Sequence, residues 1–155
     1  MIDTFSNSRA EWQSTKFISQ NGIQGLNSPK ILRLAEAYLI RAEANAKSNN
    51  FGAALADLTI LRTQRGLGAI TPVPADAAVL DAVLLEKRRE FAFEGHRFFD
   101  LIRNGKDIVR NFCNNTYTAT SGSCTIKADA NIVVAPIPQT ERNVNPLEQN
   151  QGYDQ

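Results

Sequence analysis

Two helical patterns separated by a very short polar turn constrain the fold of this chain more than any other feature. The first pattern follows Ser28-Pro29, an N-cap residue with a proline at the first helical position. The second runs from Phe51 to Leu61 and ends at Gly66, a typical C-cap residue. Because only residues 48–50 join them, the two helices are predicted to be antiparallel neighbours. The first helix has apolar residues at intervals of three and four: Ile31, Leu34, Ala35, Tyr38, Ala42 and Ala46.

This pair of helices resembles one tetratricopeptide repeat. Tyr38, Ala42, Phe51 and Ala54 stand where that repeat has bulky, small, bulky and small residues. Ala42 and Ala54 are expected where the two helices approach most closely. The pattern occurs once, whereas repeat architectures need about three copies to build a shared core.

The first helix also carries apolar residues outside the stripe that is expected to face its neighbour. Leu32, Leu39 and Ile40 add apolar surface on its other sides. A helix this apolar is expected to lie between two neighbours, so we predict stacking partners beyond this single pair.

The rest of the chain is more varied. A third helix is predicted from a cap at Asp76, interrupted by Gly95 and ending at Gly105. Residues 1–27 are expected to be irregular with at most one short strand. Residues 131–137 are expected to form a short strand, and Pro136 and Pro138 confine it to the edge of a sheet. The predicted fold class is mainly α, with tetratricopeptide-like helical hairpins and an irregular, partly β C-terminal tail.

Length and charge limit the possible functions. The 155 residues suit one domain, 1–155, and 43% hydrophobic residues are enough for a core. Lysine and arginine number 17 against 16 acidic residues, so the net charge of +1 gives no long-range attraction for nucleic acid. No stretch reaches the roughly 20 apolar residues of a membrane-spanning helix. The N-terminus also lacks the pattern of a secretion signal.

The two cysteines lie in a polar segment. Cys113 and Cys124 flank a possible turn at Ser121-Gly122, and a disulfide between them is predicted. Such a bond stabilises by roughly 2–3 kcal/mol and requires an oxidising compartment. The alternative is two unrelated free thiols. Two cysteines and one histidine supply too few ligands for zinc, so neither a metal nor another cofactor is expected.

A charged run crosses the predicted helix break. Glu86, Glu90 and Glu94 recur every four residues and therefore share one helix face. Glycosidase carboxylates must flank a sugar at roughly 5–10 Å, which one helical stripe does not do. We interpret the run as structural ion pairs, with Arg97 and Arg103 folding back onto the glutamates. The full run is Glu86, Arg88, Arg89, Glu90, Glu94, Arg97, Asp100 and Arg103.

Few other residues suggest chemistry. His96 is interpreted as structural or exposed, because no nucleophile or orienting partner is evident. Trp12, the sole tryptophan, is the best local candidate for stacking on a sugar ring. The alternative is that it fills the edge of a core. Phe98 and Phe99 are expected to pack inside the protein.

Three segments of the sequence resemble motifs of one protein family. LRLAEAYLIRAEANAKSNNFGAALADLTILRTQRGL resembles the helical hairpin of the SusD/RagB family of nutrient-binding proteins, whose R-x-R-x-G-like ending corresponds here to Arg62, Arg65 and Gly66. LLEKRREFAFEGHRFFDLIRNGK resembles its E-x-R-R-E-x-A-F-E-G-x-R stretch, and APIPQTERNVNPLEQNQGY its usual ending. Gln151 departs from the proline common there, which affects only the local turn. The resemblance runs from about Pro29 to Tyr153, in the family's order.

The resemblance implies the C-terminal portion of a SusD-like fold with no catalysis. It implies glycan capture at the outer-membrane surface beside a SusC-like TonB-dependent transporter. It also implies an N-terminal signal, a lipid anchor and most of the helical scaffold upstream. We therefore expect this chain to be a marginally stable fragment that binds glycans weakly or not at all on its own. No binding residue is carried over to a matched position. Two alternatives stay open: a cytoplasmic tetratricopeptide-like module for protein–protein interaction, and a glycoside hydrolase.

Overall fold

The computed structural model describes residues 2–6, 10–14, 19–24, 32–110 and 124–153. The chain forms two compact units, Met1–Glu94 and Gly95–Gln155. The helices are α1 (Leu34–Lys47), α2 (Phe51–Gln64), α3 (Asp76–Glu90), α4 (His96–Ile102) and α5 (Gln139–Val144). The strands are β1 (Ile2–Ser6), β2 (Ala10–Ser14), β3 (Ser19–Gln20), β4 (Ile23–Gln24), β5 (Ile108–Val109) and β6 (Thr125–Ile126). The predicted fold class, mainly α with helical hairpins, is confirmed.

The N-terminal residues contain more strand than predicted. β1 pairs with β2 and β3 with β4, each pair antiparallel. Asn21 and Gly22 join β3 to β4 with φ angles of 53° and 78°. Positive φ at both positions defines a type I′ turn, for which Asn-Gly is a preferred sequence. The expectation of irregular chain with at most one strand was therefore wrong, because it overlooked this dipeptide.

The helical hairpin of α1 and α2 is confirmed, but its first helix begins later than predicted. Ser28-Pro29 lies outside the described residues, and α1 begins only at Leu34. Arg33 precedes it with extended backbone, φ −136° and ψ 143°. The side chain of Arg33 contacts Glu90 at the end of α3 and Glu94 in the turn after it. The turn between the helices places Asn49 at φ 60°, which asparagine tolerates.

The core of the first unit lies between α1, α2 and α3. Ala42 and Ala54 are fully buried, as expected for the closest approach of α1 and α2. Leu39, placed on another side of the helix by the sequence pattern, is also buried, whereas Leu34 and Ile40 are exposed. The buried face of α1 therefore repeats at residues 35, 39, 42 and 46. The core consists of Ala35, Leu39, Ala42, Ala46, Ala54, Leu58, Leu61, Val79, Val83 and Phe91.

Two glycines lie at helix boundaries, but the third helix ends earlier than predicted, at Glu90 rather than near Gly95. At the end of α2, Gly66 has φ 74°, and its N–H donates to the carbonyl of Thr63. The N–H of Leu67 reaches back to the carbonyl of Arg62 at 2.8 Å, which completes a Schellman motif. Gly95, at φ 80°, immediately precedes α4. Asp76 is the first residue of α3 rather than its cap, which is Ala75 in extended conformation.

The C-terminal tail differs from the predicted edge strand. Residues 131–133 form a 3-10 turn, in which the N–H of Val133 donates to the carbonyl of Ala130. Pro136 and Pro138 lack the N–H groups of a strand ladder. Instead, the side-chain amide of Gln149 makes both bonds to the backbone of Ile137, at 2.8 and 3.0 Å. The tail's short strand pair is β5 with β6, and α5 occupies a stretch predicted to be loop.

An ion pair next to β5 and β6 has a defined pH dependence. Asp107 accepts hydrogen bonds from Lys127 Nζ at 2.7 Å and from the N–H of Ala128 at 3.1 Å. The hydrogen bond to Lys127 is the main reason that the pKa of Asp107 lies below 3.8. The same bond raises the pKa of Lys127 above 10.5.

These shifts predict that the pair stabilises the fold most between pH 3.8 and pH 10.5. The contribution of Asp107 is lost as pH falls through its lowered folded pKa. That of Lys127 is lost as pH rises through its raised one. In an NMR titration, the Asp107 carboxyl carbon should show a midpoint below 3.8 that rises in Lys127→Met. An unchanged midpoint in that variant would contradict the assignment.

Candidate functional site

The glutamates singled out in the sequence lie along α3 and the turn after it, and each contacts an arginine. Arg62 Nη1 lies 3.0 Å from Glu86 Oε2. Arg65 donates twice to Glu90, at 2.7 and 3.0 Å. Both pairs join the last turn of α2 to α3, because the antiparallel packing of these helices brings the Arg62-to-Gly66 ending beside the glutamate row. The carboxylate of Glu90 raises the pKa of Arg65 through this hydrogen bond.

Glu94 is bound by Arg33, which lies 61 residues earlier in the chain, just before α1. Arg33 Nη2 lies 2.8 Å from both carboxylate oxygens of Glu94, and Arg33 Nη1 lies 3.5 Å from Glu90. The guanidinium also sits 5.1 Å from the centre of the Phe91 ring, a cation–π contact. Arg33 therefore ties the start of α1 to the turn after α3. We call the residues Arg33, Arg62, Arg65, Glu86, Glu90 and Glu94 the ion-pair ladder.

The glutamates have partners that were not predicted from the sequence. The first unit pairs them with the ladder arginines, and the expected pairing with Arg97 and Arg103 stays a prediction. In the second unit, Arg103 lies 2.6 Å from Asp100, because it caps the end of α4 three residues after Asp100. Arg97 follows His96 in the first turn of α4, and both are half-buried.

Arg89, the remaining member of the predicted motif, lies on α3 itself. Its Nη1 is 3.4 Å from Glu86 Oε2, so Glu86 contacts both Arg89 and Arg62. The carboxylates of Glu86, Glu90 and Glu94 are thus all engaged by guanidinium groups, and they follow a single line along α3 and its exit. This arrangement fits ion pairs between elements better than two carboxylates facing each other across a substrate. A structural role for the motif stays a prediction.

The ladder predicts a loss of stability when its carboxylates are neutralised. Glu86→Gln should lower the free energy of unfolding by about 1–2 kcal/mol, because the charge-assisted bond to Arg62 is partly buried. Chemical denaturation measures this, with exposed Glu148→Gln as the control expected to change little. Glu90→Gln should also destabilise and leave any glycan affinity unchanged, and Glu94→Gln should destabilise because it loses its bonds to Arg33. Loss of a hydrolytic activity in any of the three would overturn the structural interpretation.

Two further ion pairs were not anticipated from the sequence. Lys87 Nζ lies 3.0 Å from Glu43 Oε2, and both side chains are buried. Arg41 donates two hydrogen bonds to the buried Asp57, at 2.6 and 2.9 Å. Glu43 stands directly after Ala42 in the buried stripe of α1. That position of a charged residue was the available signal that a cation lies opposite it.

The candidate aromatic residues have different outcomes. Trp12 lies in β2, opposite Thr4 in the strand register, and its role in ligand binding stays a prediction. The expectation that Phe98 and Phe99 pack inside was wrong. Both are exposed, Phe99 to 68%, and their rings contact each other edge-to-face at 5.3 Å. The reason is that α4 buries Asp100 and Leu101 instead.

The cysteine-bearing segment connects β5 to β6. The N–H of Arg110 donates to the carbonyl of Cys124 at 2.8 Å, which extends this strand pair. Cys124 carries a disulfide bond, whereas Cys113 and Ser121-Gly122 lie outside the described residues. The Cys113–Cys124 pairing stays a prediction: mass spectrometry of the unreduced, digested chain should find the two peptides linked. Two free thiols before reduction would contradict it.

Two features concern metal binding and membrane crossing in the described ranges of the chain. Within them, no group of three or more acidic, histidine or cysteine side chains is placed to hold a metal ion. In those same ranges, no helix combines the length and apolar character needed to cross a bilayer.

The sequence comparisons with known proteins agree on one family. The sequence model of the SusD family matches residues 4–153. The starch-binding protein SusD of Bacteroides thetaiotaomicron is 29% identical over 123 residues, which are 79% of this chain and 21% of that protein.

Solved structures give similar matches. A SusD superfamily protein from Bacteroides vulgatus is 40% identical with a TM-score of 0.61, covering 81% of this chain and 28% of that one. A SusD-like carbohydrate binding protein from the same organism is 35% identical with a TM-score of 0.49, covering 63% of this chain and 21% of that one. The chain thus spans between about a fifth and about a quarter of the length of these relatives.

Proposed function

The chain belongs to the SusD family, and from this membership we propose that it is part of a non-catalytic protein that captures carbohydrate for uptake. The observation that carries the proposal is the family match over residues 4–153, nearly the whole chain. The relative named as starch-binding supports carbohydrate as the ligand class. Because the chain covers only 21% of that relative, the complete activity is proposed for the protein to which this chain contributes.

The absence of catalysis is part of the proposal. It is supported by the ion-pair ladder, in which Glu86, Glu90 and Glu94 are bound to arginines. A hydrolase needs one carboxylic acid and one carboxylate on opposite sides of a sugar. The ladder carboxylates instead hold α2, α3 and the start of α1 together.

The cellular setting follows the family resemblance. We propose that the complete protein lies at the outer-membrane surface and works beside a SusC-like TonB-dependent transporter. Its membrane attachment would come from the N-terminal lipid anchor that the resemblance implies. The near-neutral net charge of +1 is consistent with a neutral ligand and argues against nucleic acid.

One observation favours a second candidate, a tetratricopeptide-like module for protein–protein interaction. Leu34 and Ile40 leave apolar surface of α1 exposed beside the helical hairpin. Such a module would retain a protein partner and would not bind glycans. A single assay with polysaccharides therefore separates the two candidates.

Affinity electrophoresis tests the proposal with the 155-residue chain. Native gels containing starch, xylan, mannan or pectin should retard the chain in at least one case, relative to a non-binding protein of similar size and charge. The retardation should weaken when the matching free oligosaccharide is added. Equal mobility in every gel would refute glycan capture by this chain and leave the interaction module as the better candidate.

A further inference from the structure

The turn after α3 holds Phe93 in a backbone conformation that bulky residues rarely adopt. Its φ is 67°, in the left-handed region. The other non-glycine residues with positive φ in the described part of the chain are Asn21 and Asn49, and asparagine tolerates that region. A phenylalanine there costs free energy that a glycine or an asparagine would avoid. Such strain is found where a residue is needed for contact rather than for local stability.

The residues on both sides of Phe93 are fixed. Phe91 is buried in the core of the first unit, under the guanidinium of Arg33. Glu94 is bound through both carboxylate oxygens to the same guanidinium. The turn is therefore a built feature, because Arg33 anchors it before and after the strained residue.

The ring of Phe93 points to the surface rather than into this core. It is 67% exposed, and it does not belong to the core cluster of the unit. The turn alone does not explain the residue, because a glycine gives positive φ without cost, as Gly95 does two residues later. What phenylalanine adds at this position is an aromatic face held in a fixed direction.

We propose that Phe93 is a carbohydrate-contacting residue whose ring stacks on the apolar face of a pyranose unit. This inference rests on the proposed function and adds a residue to it. Carbohydrate sites combine an aromatic face with polar groups that orient the ligand. Here the next residue is Glu94, in its pair with Arg33, so the ring has charged groups nearby.

Phe93→Asn tests the inference because asparagine suits the backbone and removes the ring. Wild type and variant are titrated with maltoheptaose, xylohexaose and mannohexaose by ligand-observed NMR, alongside thermal unfolding. The variant should bind about fivefold more weakly, as expected for one lost stacking contact. Its unfolding midpoint should stay equal or rise, because the strain is relieved. Phe93→Tyr, which keeps the ring, should bind within about twofold of wild type.

Val73→Asn is the matched control. Val73 is 70% exposed in the same unit, lies outside the helices and does not have positive φ, so its replacement should leave affinity unchanged. Equal binding by wild type and Phe93→Asn would overturn the role of Phe93 and leave the proposed function standing. A binding loss matched by a lowered midpoint would also overturn it, as a structural effect. Wild type that binds none of the three sugars would refute glycan capture by this chain and this inference with it.

Discussion

Replacing Lys87 by methionine is expected to lower the free energy of unfolding by about 3 kcal/mol. Lys87 and Glu43 lie 3.0 Å apart, and both side chains are only 5% exposed. Without the ammonium, the Glu43 carboxylate stays between α1 and α3 and has lost its buried cation, while Lys47 lies 3.6 Å from its other oxygen. Lys47 is much more exposed and does not replace a buried partner. The variant therefore leaves a charge that is costly to bury.

The double variant Glu43→Leu with Lys87→Met distinguishes the net contribution of the ion pair from the cost of leaving one of its charges buried without the other. It removes both charges and fills similar volume, so its stability should return to within about 1 kcal/mol of wild type or exceed it. Urea denaturation of wild type, the two single variants and the double variant gives the coupling energy as a double-mutant cycle. A Lys87→Met variant as stable as wild type would show that the buried pair is not the constraint inferred here.

Truncating Leu58 to alanine is expected to cost about 3 kcal/mol. Leu58 is fully buried on α2 and belongs to the core shared by α1, α2 and α3. Close packing of three helices around it leaves little room for collapse, so the variant loses apolar transfer free energy and also gains a cavity.

Ile60→Ala provides the control on the same helix, because Ile60 is exposed. It makes a similar chemical change with little burial to lose, so its cost should stay below about 1 kcal/mol. Thermal and urea denaturation should rank Leu58→Ala far below Ile60→Ala. Equal costs for the two would contradict the assignment of the core face of α2.

Periodicity predicted the helical part of the fold well, because the signals are local. Intervals of three and four identified α1, α2 and α3, and Gly66 and Gly95 mark helix boundaries in the structure as in the sequence. The exposure of Leu34 and the burial of Leu39 were not predicted. Both residues are leucine, so the sequence could not say which one faces the neighbouring helices. Packing against two helices decided it.

Contacts between residues far apart in the chain could not be predicted from the sequence. The common face of Glu86 and Glu90 follows from helical spacing, but their partners Arg62 and Arg65 come from another helix. Arg33 and Glu94 are 61 residues apart, and no local pattern links them. In the tail, the side chain of Gln149 serves as hydrogen-bond partner to Ile137, so a strand-like segment is satisfied without a second strand. Residue spacing along one segment does not reveal such contacts.

We propose that this SusD-family chain helps to bind carbohydrate without cleaving it, and one NMR experiment tests both parts of the proposal. The 155-residue chain is mixed with maltoheptaose, xylohexaose and mannohexaose, and saturation transfer and anomeric proton signals are followed over days. We expect saturation transfer to at least one intact oligosaccharide, with no growth of reducing-end signals. New reducing-end signals that disappear in Glu86→Gln, Glu90→Gln or Glu94→Gln, or no transfer to any of the sugars, would contradict the claim.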